Sequence, residues 1–270
     1  MPRIGLIGAG QMAGELGVRL VKYGGMPSGD VLASHYDVRQ AKRFSRRTGL
    51  QVLLNNSEVA ERSDVVVLCV RPQQAEAVVA ELAPLFLDGR RVLVSIAAGL
   101  LTRTLGKWIG SFQVAHLHPT SLVMVSNRHN PGLSLWTAHP RMKSNSQRGL
   151  IKIFEAALGE VLRVPEAELP KYIFLAGNTP AFLLRVIAAF VTAADLPTAS
   201  GVYRAILNGI YQGLVMECRQ PQEIIRRIAT SQGVTEAGLQ TLEGVYDIDT
   251  IARDVRNACI DRIRLLSASQ

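Results

Sequence analysis

Apolar residues in this chain fall into short unbroken runs, separated by segments in which they recur every three or four positions. The runs at 4–7, 31–34, 64–70, 91–96 and 112–117 read as strands, and their lack of polar alternation is that of parallel strands covered on both faces. Between them the helical period predicts a helix carrying Met12, Leu16, Val18, Leu20 and Val21, then helices at about 38–48, 56–62 and 72–85. The beat is strand, helix, strand, helix. It predicts an α/β fold with a doubly wound parallel sheet. A further strand is expected at 132–137 and a helix at 146–158. Beyond residue 170 no strand pattern recurs: helices are expected at 180–194, 199–218, 221–230, 236–243 and 250–267. Asn178-Thr179-Pro180 reads as a helix start, a capping side chain followed by proline in the first turn. Residues 1–165 are therefore expected to form an α/β domain and 166–270 an all-helical one.

The turn after the first run is the most informative local feature. Gly8-Ala9-Gly10-Gln11-Met12-Ala13 follows a buried strand and opens a helix. Gly8 permits a tight turn and Gly10 a close approach of backbone N–H groups to a pyrophosphate. Ala13, in place of a third glycine, lets helix and strand pack, and the helix N-terminus favours negative charge. This predicts a Rossmann dinucleotide-binding domain. Later strands end in Cys-Val-Arg-Pro, Ala-Ala-Gly and His-Pro-Thr-Ser, so the candidate chemistry gathers along one sheet edge.

Composition narrows the class further. The 270 residues are 48% hydrophobic and 19% charged, ordinary for a globular enzyme. The net charge of +8 is spread over helix faces at 39–47, 141–148 and 253–264 with few aromatics among them, which argues against nucleic acid as a partner. It suits anionic cofactors and carboxylate substrates instead. Cys69, Cys218 and Cys259 have no metal-ligand or disulfide spacing, so no metal site is expected. A first strand at residue 3 leaves no targeting segment, and the expected compartment is the cytoplasm. The apolar stretch 173–194 is interrupted by Asn178, Pro180 and Arg185; it is expected to be a buried helix, with no membrane partner. Leu183, Leu184, Val186, Ile187, Phe190 and Val191 occupy more than one face of it, so a second copy of the chain is the expected cover, giving a homodimer or higher homo-oligomer.

Several phrases together resemble the pyrroline-5-carboxylate reductases: the glycine turn, Val70-Arg71-Pro72-Gln73, Ser95-Ile96-Ala97-Ala98-Gly99, Gly177 with Pro180-Ala181, and Thr230-Ser231-Gln232-Gly233-Val234-Thr235. The resemblance covers nearly the whole chain. It implies a Rossmann domain, a helical dimerisation domain, and NADPH-dependent reduction, with NADH possible, of a small cyclic imine carboxylate in proline biosynthesis. Carried over by position, Ile7, Gly8, Ala9, Gly10, Gln11 and Met12 hold the pyrophosphate, Ser34 the adenosine ribose or its phosphate, and Asn56 the adenine side. Cys69, Val70, Arg71 and Pro72, with Ser95, Ile96 and Ala97, line the nicotinamide path. Thr235 is assigned the hydrogen bond to substrate, and Ser231 with Gly233 the substrate carboxylate.

The residues themselves add two points. The second strand ends in Ser34, where an NAD-selective site places a carboxylate, so a 2′-phosphate is permitted; Arg39 or Arg43 could approach it, while Tyr36 stands where the family has arginine. His116 and His118 alternate onto one strand face, and His118 is the candidate proton donor near neutral pH.

The substrate loops depart from the family's usual text. Leu117-His118-Pro119-Thr120-Ser121 replaces Met-Pro-Asn-Thr-Pro, and the late loop is one residue short. Similar departures mark the reductase-like proteins encoded with competence genes. The alternatives are a reductase of a different imine and a cofactor-binding regulatory protein. A β-hydroxyacid dehydrogenase would need its lysine after the glycine segment, whereas Lys171 precedes Gly177.

Overall fold

The structure, a computed structural model, describes residues 1–120, 132–193, 200–211, 216, 218–229 and 234–268. Residues Met1–Thr179 and Cys259–Gln270 make one compact unit, and Pro180–Ala258 a second.

The first unit is built on a sheet of eight strands. They are β1 (Ile4–Ile7), β2 (Val31–Ser34), β3 (Gln51–Leu53), β4 (Val65–Leu68), β5 (Val92–Ser95), β6 (Val114–Pro119), β7 (Gly132–Ala138) and β8 (Gly159–Arg163), in the order β3-β2-β1-β4-β5-β6-β7-β8. β1 to β6 are parallel, β7 runs antiparallel to β6, and β8 is parallel to β7. Strand order reverses between β1 and β4, the crevice where doubly wound sheets bind ligands.

Side chains of the central strands alternate between two cores. Ile4, Leu6, Val65, Val67, Val92 and Val94 meet α1 (Gln11–Lys22), α2 (Val38–Thr48) and α6 (Ser144–Leu158). Ile7, Val66, Leu68 and Leu93 meet α3 (Asn56–Glu61), α4 (Pro72–Leu82) and α5 (Thr102–Ile109). Each fully buried aliphatic side chain contributes about 1.5–3 kcal/mol, which is why unbroken apolar runs settle in the middle of a three-layer stack. Local chemistry sets the helix ends. Asp37 caps α2 by accepting from Gln40 N at 2.8 Å, Gly49 ends it at φ +74°, and Pro72 occupies the first turn of α4.

β3, β8 and α5 lie outside the sequence-based expectation. β3 and β8 are short, partly exposed and mixed in polarity, so no apolar run announces them.

The helix start expected at Asn178-Thr179-Pro180 is corrected by the structure. α7 (Leu169–Tyr172) continues through a π-helical run, Ile173–Asn178, into α8 (Thr179–Ala193) without a break. The Thr179 N–H and hydroxyl both donate to Phe174 O, five residues back, so the widened turn absorbs the N–H that Pro180 lacks.

The second unit contains the body of α8, then α9 (Ser200–Tyr211), α10 (Pro221–Ile228), α11 (Val234–Val245) and α12 (Ile248–Ala268) as far as Ala258. Asp247 caps α12 by accepting the Thr250 N–H at 2.9 Å and hydroxyl at 2.6 Å.

The apolar helix is not buried as expected. Leu183, Leu184, Val186 and Phe190 are 56%, 43%, 51% and 62% exposed, because no layer among the described residues covers this face. Among the described residues, the stretch Leu169–Phe190 is long and apolar enough to cross a membrane by length and composition. The last turns of α12 belong to the first unit. There Ile263 joins Leu135, Val164, Leu169 and Ile173, and the Ser267 hydroxyl donates to Gly99 O.

Candidate functional site

At the carboxyl ends of β1, β2 and β4 the sheet opens into a cleft of about 570 Å³. The glycine turn forms its floor. Gly8 sits at φ +102°, where a side chain would be strained and its Cβ would come within 3.2 Å of Cys69 O. Gly10 faces open space, since a Cβ built there would meet nothing within 4 Å. It precedes α1, whose first turn carries no capping side chain and no acid. The leading N–H groups of α1 are thus left for an external acceptor, and the helix dipole favours an anion there. A pyrophosphate fits this turn. Ser34, ending β2, accepts the Gly8 N–H at 3.2 Å and donates to Asn56 Oδ1 at 2.7 Å, which ties the second strand's end to the turn.

The cleft gathers Gly8, Ala9, Gly10, Ser34, Asn56, Cys69, Val70 and Arg71 from the expected residues. Ile7 is instead fully buried in the core, and Ser95 is buried with its hydroxyl accepting the Ala97 N–H at 3.2 Å. Gln11, Met12, Pro72, Ile96 and Ala97 are not among the residues lining this cleft either. Three lining residues escaped sequence reasoning, His35, Gln74 and Val78, while Tyr36, which stands where the family has arginine, lines the cleft as well. Gln74 and Val78 are four apart on α4 and share a face, a signal that was available. Tyr36 stacks on His35 with ring centroids 5.0 Å apart and is 84% exposed. Neither Arg39 nor Arg43 lines the cleft among its described residues.

His116 and His118 do share a face of β6, with nearly parallel rings 6.3 Å apart. Burial pulls His116 down to about 3, helped by its histidine neighbour, and His118 down to about 4. Both rings are therefore neutral at pH 7, and His118 can serve there as a neutral hydrogen-bonding group, not as a store of positive charge. The absent side chain of Gly177, in the π-helical run, leaves room for His118: a Cβ there would lie 3.2 Å from Nε2. Burial pushes the Cys69 thiol far up, so it is inert as a nucleophile. Lys171 pairs with Glu168 at 3.0 Å on the surface.

Thr235 belongs to the second unit, exposed in the first turn of α11. Since α11 begins at Val234, Thr235 stands inside the helix and not before it. Ser231 and Gly233 lie outside the described residues.

Comparison with known proteins extends over both units. Residues 3–99 match the family described as NADP oxidoreductase coenzyme F420-dependent, and residues 166–266 the family described as pyrroline-5-carboxylate reductase dimerisation. A pyrroline-5-carboxylate reductase of Pseudomonas aeruginosa is 27% identical over 267 residues, covering 97% of this chain and 95% of that protein. One from Pisum sativum is 27% identical over 245 residues, covering 89% and 87%. In fold, the chain is similar to Plasmodium falciparum pyrroline carboxylate reductase, solved with NADP bound, at TM-score 0.83 and 19% identity over 98% of each chain.

Proposed function

We propose, from the premise that the chain belongs to the pyrroline-5-carboxylate reductase family, that it reduces the cyclic imine Δ1-pyrroline-5-carboxylate to proline with NADPH or NADH. The observation that carries this reading is the open glycine turn at Gly10 on an uncapped α1, within a chain similar to these reductases along nearly its whole length.

When bound, the reduced nicotinamide would supply the hydride to the imine carbon, the imine nitrogen having first taken up a proton from water. The protein's own task is to bind, orient and hydrogen-bond. The turn Ile7 to Met12 takes the pyrophosphate and Ser34 with Asn56 the adenosine ribose. The segments Cys69 to Pro72 and Ser95 to Ala97 flank the nicotinamide path. Thr235 accepts from the protonated imine nitrogen or donates to the carboxylate, and Ser231 with the Gly233 backbone surrounds the anionic end. His118 acts as a neutral hydrogen-bonding imidazole beside Gly177. Residues 1–165 then serve as the dinucleotide-binding domain and 166–270 as the substrate and dimerisation domain, with the chain working as a homodimer. Three widely spaced cysteines with no disulfide framework in the sequence support a reducing compartment, the cytoplasm.

The test is loss of reduced-nicotinamide absorbance on adding the cyclic imine. Wild type should turn over, and Thr235→Ala should lose roughly 5- to 150-fold in kcat/KM while binding NADPH unchanged, the cost of about 1–3 kcal/mol for one transition-state hydrogen bond. Full activity in Thr235→Ala would remove that assignment. A wild type inert toward the imine would remove the reaction.

A further inference from the structure

The loop 96–101, which leaves β5 and leads into α5, is held by residues far from it in the sequence. Ile96 N donates to Leu68 O at 3.1 Å and Ala97 N to the Ser95 hydroxyl at 3.2 Å, which anchors the loop where it leaves the sheet. At its far end Thr102 N, at the start of α5, donates to Glu166 Oε1 at 2.5 Å. Between these anchors the chain turns through Gly99 at φ +83° and lies directly on the last turns of α12, since a Cβ there would come within 2.8 Å of Leu266 Cβ and 3.1 Å of Ile263 O. One side chain closes the contact. The Ser267 hydroxyl shares its single proton between Ile263 O, four residues back in its own helix, and Gly99 O. Gly99 is buried, so its carbonyl, deprived of that donor, must shift towards water or stay unpaired.

The place of this loop on the sheet gives the contact a use. In the order β2-β1-β4-β5, Ser34 ends β2, the glycine turn follows β1, and Cys69 to Arg71 follow β4. A dinucleotide whose adenosine ribose sits at the end of β2 and whose pyrophosphate sits at the β1 turn reaches past β4 towards β5 with its nicotinamide. The loop 96–101 stands there.

We infer that Ser267, on α12 and outside the lining of the cleft, is a positioning residue for the nicotinamide: by holding Gly99 O it fixes the loop against which the ring is set. The inference rests on the cleft being the dinucleotide site. Hydride transfer demands a close and aligned approach of the nicotinamide to the imine carbon, so a loosened loop costs ring placement and rate. The adenosine half, held at β1 and β2, is left as it was.

The experiment uses the full chain as wild type, Ser267→Ala and Ser267→Thr, the last keeping a hydroxyl that can reach the same carbonyl. Dissociation constants are measured for NADPH and for 2′-phospho-ADP-ribose, which is NADPH without its nicotinamide, and kcat for the cyclic imine is measured beside them. In Ser267→Ala the affinity for the fragment should stay at the wild-type value, while NADPH affinity and kcat each fall about two- to tenfold, the range one net hydrogen bond commands. Ser267→Thr should return both to within about twofold of wild type. An unchanged NADPH affinity or kcat in Ser267→Ala would overturn the assignment. Equal losses for NADPH and the fragment would mean a general loosening and overturn it too, as would a Ser267→Thr protein no better than Ser267→Ala. Failure of wild type to bind either molecule is a different result: it refutes the dinucleotide site, and the role of Ser267 falls with it. A wild type that binds NADPH but is inert toward the imine refutes the reaction proposed above, and the two affinities then decide the positioning alone.

Discussion

Gly10 separates binding from stability more cleanly than any other residue of the cleft. Its φ of −80° suits any residue, and a Cβ there meets nothing within 4 Å. Gly10→Val should therefore cost the fold less than about 2 kcal/mol, the upper range for changing a helix N-cap. Its branched side chain would occupy the space over the α1 N-terminus, so NADPH and NADH affinity should fall by more than about tenfold, or roughly 1.4 kcal/mol. Titration calorimetry showing wild-type affinity in a folded Gly10→Val protein would place the nucleotide elsewhere. His116 and His118 bear on stability through pH. Their folded-state values, about 3 and about 4, lie below the ordinary histidine value. Below about pH 6.5 the unfolded chain takes up protons that the folded chain refuses, so their contribution is complete above that pH and declines as pH falls to about 4 for His118 and about 3 for His116. The decline should reach on the order of 2 kcal/mol per histidine between about pH 7 and about pH 5. Urea unfolding at the two pH values measures it. His116→Gln should halve the pH-dependent loss, and an equally steep profile in that variant would put the titration on other groups.

At the scale of elements, the helices over the sheet are governed by how closely they lie on it. Gly17 in α1 and Gly149 in α6 make the comparison. A Cβ on Gly17 would come within 2.4 Å of Leu50 Cδ1 and 3.0 Å of Leu6 Cδ1, both on buried residues, whereas one on Gly149 would meet nothing within 4 Å. Helix propensity favours alanine over glycine by about 1 kcal/mol at either place. At Gly17 an overpacking cost of about 1–3 kcal/mol should win, so Gly17→Ala lowers the denaturation midpoint. Gly149→Ala should raise it, and a rise in both would mean that α1 can lift off the sheet at no cost. The same closeness explains which elements the sequence reveals. β1, β4 and β5 are buried on both faces and show as unbroken apolar runs. β3 begins with an exposed Gln51 and β8 buries only Val161, so their pairing is decided by neighbours far along the chain. Asn178-Thr179-Pro180 reads locally as a helix start, yet the helix from Leu169 carries through it by widening to a π turn. In the cleft, the glycine turn, Ser34 and Cys69 to Arg71 are readable because each sits at a strand end or a helix start, and Asn56 is placed by the resemblance to the family. Gln74 and Val78 share a face of α4 that their spacing announces, but that this face overhangs the cleft is set by how α4 packs, which no local pattern encodes.

For the whole molecule, the unresolved question of physics is what covers α8. Four large apolar side chains, Leu183, Leu184, Val186 and Phe190, are each between 43% and 62% exposed, and α9 adds Leu207, Ile210 and Tyr211 at 45%, 46% and 49%. A patch of this kind is costly in water and marks a contact surface. A membrane would cover it, but Arg185 sits in the middle of α8, and a charge at the centre of a spanning helix costs about 2.5–3.5 kcal/mol on insertion scales. At a subunit interface the Arg185 stem can pack while its guanidinium reaches water at the rim. A second copy of the chain is the better cover, in keeping with the dimerisation family matched over residues 166–266. Two-fold symmetry would bury each of these side chains twice, at about 1.5–3 kcal/mol for full burial, and that gain must exceed an association cost of roughly 4–15 kcal/mol. Light scattering at micromolar concentration, without detergent, should give the mass of two chains or a multiple of two. Phe190→Glu, at the most exposed of the four positions, should shift the species towards one chain while leaving the folded first unit and its NADPH affinity intact. A folded wild type with the mass of a single chain would refute the dimer, and a wild type recovered only with detergent would return α8 to the membrane.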